Sequence, residues 1–201
     1  MINKRAKSLF YLLLICLLAL VGCIMPESNH IQPDFFLLSA TSIDANKSKA
    51  KGEHSFYLRE IELPQYLKDS RMVVRPTSHT IIFRDSDRWG EPLEDGIARV
   101  LALNLQGQIY DSIYSVFPNR RKDGLRWDLA ISFSRFEKIS NDRVLINSKW
   151  TAKQKNGDSY SDVFSFEMNL PVGGGDSDEL KAYNLAIYKL SEEIIGLLSQ
   201  N

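Results

Sequence analysis

Residues 63–105 read LPQYLKDSRMVVRPTSHTIIFRDSDRWGEPLEDGIARVLALNL, and the hydrophobic pattern of this stretch decides the fold. Pro64 to Asp69 reads as a turn or helical turn, because proline fixes φ and offers no backbone donor. Arg71 to Arg75 and Thr80 to Arg84 are β-branched or aromatic runs separated by Pro76, Thr77 and Ser78, which predicts two short strands around a turn. Trp89-Gly90-Glu91-Pro92 then opens a helix, with Pro92 at the first helical position, where its missing N–H costs nothing. Leu93, Ile97, Val100, Leu101 and Leu105 recur at helical spacing and form one apolar stripe. The stretch pairs no nucleophile with a base. It reads as scaffold.

Downstream, Ile109 to Phe117 is expected as a short strand, completing a β-α-β unit around the helix. Three longer segments then alternate with period two. Leu125, Trp127, Leu129, Ile131 and Phe133 share one face; Val144, Ile146, Ser148, Trp150 and Ala152 share the next; Phe164, Phe166, Met168 and Leu170 the third. Asn141-Asp142 and Asn156-Gly157-Asp158 mark the turns of an antiparallel meander with one wet face. Gly173-Gly174-Gly175 is loop, and no strand–Gly-loop–Lys signature makes it a phosphate cradle. Asp176 and Glu179 have the spacing of a capping box ahead of the last helix. That helix carries Leu180, Tyr183, Ile187, Leu190, Ile194 and Leu197 at three-four spacing, with Leu185, Tyr188, Ile195 and Leu198 as a second stripe. The plain reading is one wide buried face. The sharper reading makes Leu185, Tyr188 and Ile195 a subunit or partner contact.

Upstream, His54 to Leu63 is expected as a strand with Phe56, Leu58 and Ile61 inward, and an offset between Leu58 and Ile61 marks a bulge or an early end. Asp34 to Ala40 is a continuous apolar run, read as a first strand buried on both faces. Thr41 to Gly52 is rich in lysine, serine and alanine and reads as loop.

Residues 1–22 read as a targeting segment. Lys4, Arg5 and Lys7 precede an apolar run from Leu9 to Val21, shorter than the ~20 residues a membrane-spanning helix needs. The run ends in Leu20-Val21-Gly22-Cys23, which looks like a bacterial lipobox: small Gly22 suits cleavage and the Cys23 thiol accepts the lipid. Cys16 leaves with the signal and Cys23 is acylated, so the mature chain keeps no cysteine for a disulfide. Residues 23–33 form a polar tether, and 34–201 a single domain.

The full chain has 25 basic and 25 acidic residues, and loss of residues 1–22 leaves the mature form faintly acidic. That balance gives no support to nucleic-acid binding, which shows as a basic excess. His30, His54 and His79 have no partner at metal-ligand spacing, and Asp85, Asp87 and Glu91 lack the glycine and final glutamate of a calcium loop. They read as solvated turn residues. No cofactor, metal site or catalytic set is expected, and the chain does not read as an enzyme.

The central stretch resembles the auxiliary lipoproteins of MCE-type ABC transporters, the PqiC-like family. The likeness rests on Leu63, Pro64, Tyr66 and Leu67; on Trp89, Pro92 and Leu93; and on Ile97, Arg99, Leu101, Asn104 and Leu105. It departs at Gly107, a costly residue inside a helix, which predicts an earlier helix end. The resemblance implies a lipoprotein anchored in the outer membrane of a Gram-negative envelope, the membrane favoured by Ile24 after Cys23. It implies a non-catalytic role in lipid transport between the two membranes, with a periplasmic MCE-domain protein as partner and a homo-oligomeric state. Contact with phospholipid is left open. So are two rivals: a free-standing small-ligand or lipid binder with an apolar cavity, and an assembly lipoprotein of another envelope machine. The expected fold is α+β, a mixed and largely antiparallel sheet with both helices on one face.

Overall fold

The structure is a computed structural model that describes residues 10, 11, 13, 14, 32–41, 55–109, 113–140, 142–155 and 157–199. The chain divides into two units, residues 1–32 and 33–201. The second carries the sheet. Its elements run β1 (Asp34–Phe36), β2 (Phe56–Leu58), a 3-10 turn (Gln65–Lys68), β3 (Arg71–Thr77), β4 (Thr80–Trp89), α1 (Leu93–Gln108), β5 (Tyr114–Val116), β6 (Trp127–Ser140), β7 (Arg143–Gln154), β8 (Ser159–Asn169) and α2 (Asp176–Leu198). The fold is α+β.

Strand β6 is the spine. One of its edges pairs antiparallel with β7 along its length, and β7 pairs with β8, so the expected meander is present. Its inward residues are those of the period-two pattern: Trp127, Leu129, Ile131, Phe133, Val144, Ile146, Trp150 and Phe164 are all buried. The positive φ of Gly157, 108°, turns β7 into β8. The other edge of β6 is shared by two strands end to end. Trp127–Leu129 pairs in parallel with β2, and Lys138 pairs in parallel with Val74 of β3. Beyond β2 lies β5; beyond β3 lie β4 and then β1. The sheet therefore forks into a short arm, β2–β5, and a longer arm, β3–β4–β1.

Both helices cover one face and pack on each other. The α1 stripe predicted from spacing is fully inside: Leu93, Ile97, Val100, Leu101 and Leu105 are at most 3% exposed. In α2 the face is wider, with Tyr183, Ile187, Tyr188, Leu190, Ile194, Ile195 and Leu198 all buried. Phe136 of β6 stacks on Tyr183 of α2 at a centroid distance of 4.7 Å.

Several local expectations need correction. The first strand is only Asp34–Phe36; it is an edge strand rather than a doubly buried one, with Phe35 and Leu37 exposed, Phe36 half-buried against the core and Leu38 buried. Strand β4 continues to Trp89, so Trp89 ends a strand instead of opening a helix, and Pro92 is the N-cap with ψ 130° rather than the first helical residue. Pro76 and Thr77 stay in β3, leaving Ser78-His79 as the turn. Gly107 does not shorten α1, which runs to Gln108; packing against α2 outweighs one glycine. The strand–helix–strand succession β4–α1–β5 is present, yet β4 and β5 sit on different arms with β3, β6 and β2 between them. The capping box is not formed: Gly175 is the N-cap without a side-chain bond, because Asp176 and Glu179 both turn to Arg84.

Candidate functional site

The residues of the central motif act as pins. Leu67 is buried, and its N–H closes the 3-10 turn on the Pro64 carbonyl at 3.0 Å, which aims Tyr66 at β6. The Tyr66 hydroxyl donates to Glu137 Oε2. Burial, then that acceptor carboxylate, push the phenol well above its ordinary range. Trp89 fills the junction of β4, β6 and α2, edge-on to Phe136 at 6.4 Å and tilted against Tyr183 at 5.9 Å. Arg99, on the outer side of α1, donates to the Leu38 carbonyl at 3.0 Å and pairs with Glu91, tying the helix to the chain after β1. Leu63 packs half-buried at the core's edge, and Pro92, which caps α1, is exposed.

Around those pins runs a buried ionic network that the sequence did not disclose. Glu137 and Glu179 have no exposed side-chain surface. Glu137 Oε1 meets Arg75 Nε at 3.1 Å and Arg135 Nε at 2.7 Å. Glu179 meets Arg84 Nη2 at 3.0 Å and Lys138 Nζ at 3.7 Å, and accepts from the Tyr183 hydroxyl at 2.8 Å. Arg84 also pairs with Asp87 at 3.0 Å and Asp176 at 3.1 Å. Asp87 is thus a buried ion-pair partner, not the solvated turn residue expected of it. Asp85 is exposed and pairs with Arg71. Four cations face four carboxylates, so the charges balance within the network, although Arg84 Nε and Glu179 Oε2 are buried without a hydrogen bond among the described residues. It joins β3, β4, β6 and the start of α2.

The open feature is a groove on the other arm. A hollow of about 630 Å³ lies between the outer side of α1 and strand β5, lined by Ala98, Ala102, Leu103, Tyr114, Val116, Phe117 and Pro118, with Glu91, Asp95 and Arg99 at its rim. That size is in the range of ligand clefts. A smaller hollow of about 160 Å³ shares Asp95, Ala98 and Phe117 with it and extends past Arg59, Glu60 and Glu94. Leu103 and Phe117 are 41% and 44% exposed, large apolar side chains at the mouth of one groove. This is a surface groove, not the internal cavity that a free-standing lipid binder requires.

The expected contact residues of α2 lie elsewhere. Tyr188 and Ile195 are buried in the domain and Leu185 is half-buried, because α2 packs against both the sheet and α1. Tyr188, Ile195 and Leu198 of the second stripe are covered by the chain itself, and Leu185 is covered only in part. Gly22 and Cys23, with the whole lipobox, lie outside the described residues, as do His30 and His54. Among the described residues no group of histidine, cysteine, aspartate and glutamate could hold a metal ion, and no helix is long and apolar enough to cross a membrane. One signal for the groove stood in the sequence: Leu103 is an apolar residue that falls off the buried stripe of α1.

Comparison with known proteins bears on the family and the fold. The family model described as ABC-type transport auxiliary lipoprotein component matches residues 36–195. The intermembrane transport lipoprotein PqiC of Escherichia coli (strain K12) is 19% identical over 140 residues, spanning 70% of this chain and 72% of that protein. Two solved structures share the fold. One, a protein from Xanthomonas campestris, superposes with a TM-score of 0.66 at 14% identity, over 82% of this chain and 94% of that one. The other, an uncharacterized protein, gives 0.70 at 14% identity, over 83% and 99%.

Proposed function

The chain belongs to the ABC-type transport auxiliary lipoprotein family, and from that premise we propose that it is the non-catalytic, outer-membrane-anchored auxiliary component of an MCE-type system moving lipid between the two membranes. The observation that carries the reading is the family match over nearly the whole of the sheet and both helices. The lipobox Leu20 to Cys23 supports the anchor: residues 1–22 are removed and Cys23 carries the acyl chains, whose number exceeds the two signals that stable attachment needs. Ile24 in place of an aspartate favours the outer membrane. The partner in this reading is a periplasmic MCE-domain protein of the same system. The lipoprotein works as a homo-oligomer, through surfaces other than Tyr188 and Ile195, which the domain buries.

The test joins anchor to role. Mass spectrometry of the mature protein should find acylated Cys23, and Cys23→Ala should leave precursor or a soluble periplasmic form. Cells relying on that variant should lose envelope barrier function, and the wild-type protein should co-purify with its MCE-domain partner from solubilised envelopes. An unmodified N-terminus would remove the anchor from the reading. Barrier function that persists without the protein would remove the transport role.

A further inference from the structure

We propose that the groove between α1 and β5 docks an extended segment of a partner protein that carries a basic side chain next to apolar ones. The proposal rests on the auxiliary reading for the partner's being an envelope protein; the chemistry of the segment comes from the groove.

Charge selects the occupant. Glu60, Glu91, Glu94 and Asp95 stand along the two joined hollows against only Arg59 and Arg99. Both cations are engaged: Arg59 pairs with Asp128 at 3.4 Å, and Arg99 holds Glu91 and the Leu38 carbonyl. The surplus is therefore negative. Glu94 Oε2 is buried and finds no hydrogen-bond partner among the described residues. Glu94 and Asp95 also occupy the first turn of α1, where the helix dipole favours negative charge. No N–H of that turn donates to Glu94 Oε2, and a buried acceptor left unmade is costly. A lysine or arginine reaching in from a partner supplies donor and charge together. An anionic phospholipid would bring its phosphate to the same carboxylates and meet no free cation.

Shape selects an extended segment. Strand β5 pairs with β2 alone, so its second edge has no strand on it among the described residues. Tyr114 and Val116 share one face of β5 and line the groove with Leu103 and Phe117. A strand added to this edge would place every second side chain on that same face, as in recognition by strand addition. Its apolar residues would meet Leu103 and Phe117, and its basic residue Glu94 and Asp95.

The test uses the full-length anchored protein in cells, with the photo-crosslinking residue p-benzoylphenylalanine in place of Leu103 and, as a control, of exposed Val163 on β8. The expected adduct, absent at Val163, is a polypeptide other than this chain, crosslinked in a segment that joins Lys or Arg to apolar residues. Glu94→Gln combined with Asp95→Asn should cut its yield by about tenfold, the effect of roughly 1.4 kcal/mol. Glu60→Gln lies outside any helix, so it keeps the test independent of helix stability; it should lower the yield in the same direction at an unchanged melting temperature. Raised salt should weaken the adduct in the wild-type background. An adduct with lipid, with a second copy of this chain or with an acidic segment would overturn the proposal. So would no adduct, or a yield indifferent to these charges. Barrier function and Cys23 acylation score the auxiliary reading separately, so either can fail while the other stands.

Discussion

The two arms of the forked sheet are finished differently. The β3–β4–β1 arm is long, and charged side chains cross from it to β6 and α2: Arg75 to Glu137, Arg84 to Glu179. The β2–β5 arm has strands of three residues each, paired in parallel, and no buried ion pair joins it to a helix among the described residues. Its helix, α1, seals one side against the core and leaves Leu103 facing a groove. One arm is locked and the other is left with room. Buried ion pairs add little net stability but are costly to break, so the locked arm holds one geometry while the open arm can accept a partner.

Breaking the locked arm at its junction should give the largest effect. Trp89 is 7% exposed and touches Phe136 and Tyr183. Trp89→Ala should cost about 3–5 kcal/mol, as large core truncations do, read from urea unfolding followed by circular dichroism. Unchanged unfolding with lost function would make Trp89 a contact residue instead.

The next effect tests whether the charges themselves lock the arm. Glu137→Gln keeps the volume but withdraws the anion shared by Arg75, Arg135 and the Tyr66 hydroxyl. Loss of one partner from a buried pair costs up to about 3–5 kcal/mol; the remaining amide oxygen still accepts a hydrogen bond, so the loss should fall below that of Trp89→Ala. The wild type has a matching alkaline signature. Burial, then Glu137, raise the Tyr66 phenol, and burial, then Glu179, raise that of Tyr183, both from an ordinary 10.0. The unfolded chain releases these protons near pH 10 while the native state keeps them. Their contribution is therefore complete below pH 10 and is lost as pH rises above it. Glu137→Gln should flatten the Tyr66 part of that decline; equal alkaline slopes in the two proteins would contradict the coupling.

What could be read from the chain follows the range of its interactions. The α1 stripe and the β6–β7–β8 alternation are local periodicities, and both survive in the structure residue by residue. The fork was not legible, because β2 and β3 meet the same edge of β6 across more than fifty residues of chain, and the hydrophobic pattern of β6 does not record which neighbour pairs with which half. The network was hidden for a related reason. A register shift between Phe133 and Arg135 in the β6–β7 pairing breaks the period-two pattern, after which Phe136 and Glu137, adjacent in sequence, are both buried. Asp87 was misread because its cation, Arg84, is set by the same strand's irregular pairing with β3. The groove is assembled from α1, from β5 and from the residues that follow β5, so no single segment shows it.

The smallest expected effect sharpens the comparison most. Leu103→Ser replaces a large apolar residue in the middle of a helix, and on composition alone it would be scored as core damage. Leu103 is 41% exposed at the groove mouth, while Leu101 and Leu105 on the buried stripe of the same helix are at most 1% exposed. Surface substitutions away from packed contacts stay within about 0.5 kcal/mol, so Leu103→Ser should leave urea unfolding nearly unchanged. Leu101→Ala, two residues away, should cost about 2–5 kcal/mol. A groove that serves only to finish the fold would make the two losses similar. A groove kept open for a partner predicts a stable Leu103→Ser protein that fails in the envelope, and barrier function measured beside unfolding in the same two variants separates those outcomes.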